Sequence, residues 1–303
     1  MKWIAKAFIQ KTLSALPHGE SLNYWFQRKT GGLPVSPDEF VEKVRLAHER
    51  FKRWERFGSS KSLGEIQCFE FGAGWDLIGP LAYWSFGIDH QTLIDLNPHL
   101  RPELLQDSIQ KFLFYSEQCE AVTGRKLRQM PSNITHPQDK LLSEFGIEYL
   151  APLDAAMTGL PANSVDFIST NSTLEHIPAE SLADILRESR RILRDDGIAC
   201  HLIDMKDHFS YFDHSITKYN FLTLPDAIWN LVNSSISYQN RLRYSDYHRL
   251  INEAGLQLID EEVEWATEED LRAFQPLKLT PRFANTDSNE HLAAQIIRVV
   301  LRK

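Results

Sequence analysis

From Ile66 onward the chain alternates short apolar runs with helical stretches, and this pattern most narrows what it can fold into. Ile66–Phe71, Thr92–Leu96, Ile147–Leu150, Val165–Thr170 and Ile198–Asp204 read as strands, with helical stretches between them, the clearest over Ala179–Arg194. The alternation predicts βαβ units and a parallel sheet with helices on both faces. Leu256–Val263 and Ala294–Arg302 are longer β-type runs without an amphipathic helix between them, and they predict an antiparallel hairpin closing one sheet edge.

Such a domain needs ~200 residues, so a chain of 303 carries extra elements. One is an N-terminal arm over residues 1–62. Trp3, Ile4, Phe8 and Leu13 share roughly one helical face, and Ser36 or Asp38 is placed to cap a second helix over about 38–57. The arm holds 12 Lys/Arg against 6 Asp/Glu, although the whole chain has a formal charge of −8. An acidic body argues against general nucleic-acid binding. A basic arm on it predicts either a lid or docking surface for a protein, an anionic membrane or an anionic acceptor, or an element that packs on the sheet with its charges in water; a homo-oligomer is a separate expectation. The hydrophobic fraction of 43% and charged fraction of 24% exclude disorder, collagen and a long coiled coil. Cys68, Cys119 and Cys200 lie far apart without CxxC spacing, which predicts a reducing, cytoplasmic setting. The first eleven residues are too charged for the apolar core of a signal peptide.

The most informative stretch is Cys68-Phe-Glu-Phe-Gly-Ala-Gly-Trp-Asp-Leu-Ile-Gly-Pro, residues 68–80. A strand runs into a loop containing Gly72, Ala73 and Gly74, and a helix opens near Leu77. Glycines let backbone turn sharply and approach a ligand closely, and ligands of open α/β sheets sit at the carboxyl ends of strands. A dinucleotide site would place a third glycine at position 77, where Leu77 stands. Glu70, two residues before the first glycine, would repel a pyrophosphate but suits a ligand bearing an ammonium and a sulfonium. Asp95, ending the second strand, is a bidentate acceptor for ribose hydroxyls. Asp154, after the third, is an acceptor for an adenine amino group.

These residues, in this order, resemble a class I S-adenosylmethionine-dependent methyltransferase over about residues 64–204. Leu160-Pro-Ala-Asn-Ser-Val-Asp-Phe-Ile-Ser-Thr-Asn-Ser-Thr-Leu-Glu-His-Ile resembles the family's segment around its fourth strand, and Leu193-Arg-Asp-Asp-Gly the ending before its fifth. The resemblance implies a Rossmann-like seven-stranded, mostly parallel sheet over residues 63–303. It implies S-adenosyl-L-methionine as cofactor, held by Glu70, Gly72, Ala73 and Gly74 at its methionine end, by Asp95 and Asp154 at ribose and adenine, with the loop at Asn171 closing over it. Asp95 and Asp154 are further apart than is usual in the family, so about 99–145 reads as a helical insertion over the acceptor side.

A hydroxyl acceptor must lose a proton, which directs attention to His176, Asp207 and His208, near the ends of strands four and five. Asp204, Asp207, His208 and His214 offer metal-ligand chemistry without supporting spacing, and the expectation is no metal. His201, inside strand five, reads as a core residue. The acceptor-side loops, about 205–250, combine aromatics with Arg241, Arg243 and Asn240, a set suited to a hydroxyl-rich or anionic acceptor such as a saccharide. Residues 16–28 add a similarity to bacterial methyltransferases of surface-polysaccharide pathways. The leading expectation is methyl transfer to a hydroxyl of a small molecule or glycan. A non-catalytic cofactor-binding partner or sensor is the alternative, with a nicotinamide-dependent reductase third.

Overall fold

The computed structural model describes residues 2–16, 21, 22, 24, 25, 28, 32–284 and 286–303. Much of residues 16–28 therefore lies outside the described residues. The seven strands are β1 (Gln67–Phe71), β2 (His90–Ile94), β3 (Ile147–Leu150), β4 (Val165–Asn171), β5 (Leu193–Asp204), β6 (Gln257–Glu264) and β7 (Ile296–Arg302). They form one sheet in the order β3-β2-β1-β4-β5-β7-β6. Strands β1 to β5 are parallel, and β7 runs antiparallel between β5 and β6. The closing hairpin is thus β6 with β7.

Alternation along the strands feeds two cores. Cys68, Leu93, Phe167, Ile198 and Cys200 point to the face covered by α2 (Pro37–Phe57) and α3 (Ile78–Phe86). Phe69, Phe71, Ile168, Ala199 and Ile203 point to the face covered by α7 (Ala179–Ile192) and α9 (Tyr244–Glu253). Helix α2 is the second arm helix, capped by Ser36 in a reciprocal box with Glu39. The insertion supplies α4 (Pro102–Phe114), α5 (Ser116–Thr123) and α6 (Leu141–Phe145). Its Leu105, Ile109, Phe112, Cys119 and Phe145 enlarge the first core beside Phe40 and Trp84.

A third core joins α1 (Lys2–Ser14), α8 (Asp226–Val232), α10 (Glu268–Phe274) and α11 (Asn289–Ala293) to the loop after β5. Here the face expected on α1 is corrected. Trp3, Ala7 and Leu13 are buried, whereas Ile4 and Phe8 are exposed, because the Trp3 backbone N–H is drawn to Asp213 Oδ2 at 3.0 Å and its ring meets Phe209. Two boundaries also move. Strand β2 ends at Ile94 and leaves Leu96 exposed. Strand β5 begins at Leu193, which pairs with Val165, so α7 stops two residues before its expected end. No described helix is long and apolar enough to cross a membrane.

Candidate functional site

The turn after β1 makes a cradle at the carboxyl edge of the sheet. Gly72 (φ +71°) and Gly74 (φ +78°) take the left-handed conformation that glycine tolerates best. A Cβ on Gly72 would sit 2.4 Å from Thr173 Cγ2, while Gly74 faces open space. Leu77 and Ser172, both at φ 51°, hold the same conformation without being glycine, and such residues concentrate at functional sites. Gly72, Ala73 and Gly74, with Glu70, Asn171 and Ser172, line one cavity of about 400 Å³, within the ordinary range of small-molecule pockets.

Glu70 is 6% exposed and its Oε2 has no hydrogen-bond partner. Burial pushes its carboxyl up to about 8, against the pull of Arg50. An orphaned buried carboxylate oxygen has room for a donor from a ligand.

Across the cavity stand two residues that the sequence reading did not single out, Lys43 and Arg50 of α2. Arg50 donates to Asn171 Oδ1 at 2.7 Å and to Ser169 Oγ and Tyr83 Oη, each at 3.1 Å. Lys43 pairs with Asp76 at 2.5 Å. The helical spacing of seven between them was the available signal, since it sets both on one face of α2.

The other two acids are not among the residues lining this cavity, although the Asp95 carboxylate lies against the Ala73 and Gly74 backbone of its glycine loop. Asp95 is buried, accepts the Tyr149 hydroxyl at 2.9 Å and is pushed by burial up to about 7. Asp154 is exposed and accepts from the Ala156 N–H at 2.8 Å. Neither lines the cavity with Glu70.

On the acceptor side the structure brings His176 and His208 together, with ring centroids 5.0 Å apart. His176 Nδ1 meets the Tyr238 carbonyl at 2.6 Å, and His208 Nε2 lies 3.6 Å from Asp204 Oδ2. The expectation for Asp207 as part of this group is corrected. Its carboxylate turns inward to the Phe209 and Phe221 N–H groups, both at 2.9 Å, and caps the short helical turn at His208–Tyr211. Asp204 takes the place beside His208 instead, accepting the Tyr211 hydroxyl.

The aromatic and Arg-rich acceptor surface is also corrected. Phe209, Tyr219 and Phe221 belong to the third core. Arg243 is buried and donates to the Leu292 and Ala294 carbonyls, and Arg241 to those of Phe221 and Leu224. Asn240 binds the Leu174 and Ile177 carbonyls. Backbone carbonyls claim these donors, while Tyr211, its ring 5.4 Å from that of His208, and Phe212 are exposed. His201 is a core residue as expected, bonded through Nδ1 to Thr170, and burial lowers it to about 4.

A family model described as a methyltransferase domain matches residues 113–201, from the insertion into β5. The resemblance read from the sequence is met there by an independent profile, which begins after the glycine loop. No curated protein matches the sequence significantly. Among solved structures, a SAM-dependent methyltransferase from Leishmania major aligns at 12% identity with a TM-score of 0.46, over 99% of this chain and 83% of that one. Phosphoethanolamine N-methyltransferase 2 from Haemonchus contortus, bound to phosphomonomethylethanolamine and S-adenosylhomocysteine, aligns at 15% identity and 0.45, over 84% of this chain and 52% of that one. An S-adenosylmethionine-dependent methyltransferase from Mesorhizobium loti aligns at 14% identity and 0.42, over 80% and 93%. These likenesses are distant, and the chemistry of the site has to be read from its own residues.

Proposed function

We propose that the protein is an S-adenosylmethionine-dependent methyltransferase acting on a hydroxyl of a small molecule or saccharide. The observation that carries this reading is the unpartnered Glu70 Oε2 beside a glycine cradle, with the Arg50 guanidinium among the residues lining the same cavity. A buried acid and a buried base on one small cavity complement a zwitterion, and an amino-acid end is what this cofactor would present. When bound, the cofactor supplies a methyl group already activated on sulfur. Glu70 would take its ammonium, Arg50 its carboxylate, and Gly72–Gly74 would let the backbone close against it.

The remaining work of the chain is alignment, exclusion of water and handling of one proton. For the proton, His208 is the imidazole we assign, with Asp204 Oδ2 3.6 Å from its Nε2. Exposed Tyr211 and Phe212 offer apolar faces to a sugar ring.

Calorimetry tests the cofactor assignment directly. S-adenosylmethionine or its demethylated product should bind at micromolar level and NAD should not, and Gly72→Asp should abolish that binding. Equal binding of NAD, or binding indifferent to Gly72→Asp, would sink the assignment. A labelled methyl donor offered to hydroxylated small molecules and glycans then identifies the acceptor. His208→Ala should lower turnover at least ten-fold and leave cofactor affinity unchanged.

A further inference from the structure

The segments after β4 and β5 bring together a cluster with metal-ligand chemistry. Glu175, His176 and His208 each place one donor atom within 4.8 Å of the others. Glu175 is 1% exposed; its Oε1 accepts from the Asp204 N–H at 3.2 Å, while its Oε2 has no partner. His208 Nε2 is likewise buried and unpartnered. His176 meets the Tyr238 carbonyl through Nδ1, which fixes Nδ1 as the protonated nitrogen and leaves the Nε2 lone pair available.

We propose that Glu175, His176 and His208 form a binding site for one divalent first-row transition-metal ion. Two imidazoles and one carboxylate leave coordination positions open, and imidazole nitrogen favours Zn²⁺, Co²⁺, Mn²⁺ or Fe²⁺ over Mg²⁺ and Ca²⁺. A carbonyl fixing the far nitrogen of a ligand histidine is the usual outer support of such a site. Here Tyr238 provides it, and Asp204, 3.6 Å from His208 Nε2, completes the surround.

Glu175 and His176 lie three and four residues beyond Ser172, which lines the glycine-loop cavity. Resting on the methyltransferase reading, the ion's open positions would face the acceptor and take its oxygen. The base role and the ligand role of His208 then exclude one another: with the ion bound, its lone pair is committed, and the proton of an acceptor oxygen polarised by the ion would pass to solvent instead.

The test uses the full-length protein after dialysis against a chelator. Zn²⁺ and Co²⁺ are titrated by calorimetry, with the visible absorption of Co²⁺ recorded. One ion per chain is expected, unaffected by millimolar Mg²⁺. His208→Ala and His176→Ala should each weaken binding at least ten-fold and alter the Co²⁺ spectrum. Glu175→Gln should do the same, with the melting curve recorded in case the buried site fails to fold. Stoichiometry below 0.2, or undiminished binding in both histidine variants, overturns the proposal. Because neither cofactor nor acceptor is present, this outcome is separate from the calorimetry of S-adenosylmethionine. Cofactor binding without metal would remove the site and leave the methyltransferase reading standing, and metal binding without cofactor would do the reverse.

Discussion

Glu70 couples the glycine-loop cavity to pH. Its folded carboxyl is raised to about 8 from an ordinary 4.5, so between those values the folded state holds a proton that the unfolded state has lost. The contribution of this group to stability is full below about pH 4.5 and falls by about 1.4 kcal/mol per pH unit as pH rises towards 8. Glu70→Gln cannot ionise. It is expected to remove one proton's worth of that slope in urea melts at pH 5 to 8, and to make the ligand-free protein the more stable form at pH 8. The same change should weaken cofactor binding at least ten-fold, because the orphaned oxygen becomes an amide. Parallel slopes for the two proteins would mean that Glu70 is not the buried acid described. Arg50→Met supplies the complementary measurement. It leaves Asn171, Ser169 and Tyr83 without their shared donor, and cofactor affinity should again fall at least ten-fold. A hydrogen bond to a charged group contributes about 1.5–3 kcal/mol.

Helix α2 shows how an element can matter to a site far from its own segment of sequence. Ser36 Oγ accepts from the Glu39 N–H, and the Glu39 carboxylate accepts from the Ser36 N–H. Ser36→Ala should cost about 1 kcal/mol in denaturant melts. Cofactor affinity should hold, since Arg50 lies about four turns further in; a parallel loss of affinity would show that the cap positions Arg50 after all. The start of α2 and the strands were legible because local chemistry decides them: a capping Ser36 or Asp38 ahead of a helical run, apolar runs of strand length, glycines after β1. Arg50 was not legible as a site residue, since only the docking of α2 on the sheet carries it over to Asn171. Nor was the inward turn of Asp207, because its partners at Phe209 and Phe221 are backbone groups and leave no pattern in sequence. Phe209, Tyr219 and Phe221 read equally as ligand face or core, and burial in the third core settled the matter.

At the scale of the molecule, the basic arm divides its work between the two halves of the site. Helix α2 brings Lys43 and Arg50 to the glycine-loop cavity, and its Arg53 pairs with Glu262 of β6 at 2.6 Å. Helix α1 goes elsewhere. Trp3 packs on Phe209, Lys6 lies over the Phe212 ring, and Lys11 donates to the Asn230 and Asn233 carbonyls. Lys6 also lines a small cavity beside His208. Exposed single ion pairs contribute little, so the buried Trp3 is the strongest tie between α1 and the loop that carries His208. Trp3→Ala removes that ring and should cost about 3 kcal/mol, concentrated in the third core. The sheet and the glycine loop share no residue with that core, so the loss should be local rather than global. Hydrogen exchange of the full chain reads this directly: faster exchange is expected over residues 208–232, with residues 67–86 unchanged and cofactor affinity retained. Uniformly faster exchange would instead mean that the arm folds with the body as one cooperative unit, and that α1 has no separate hold on the acceptor side.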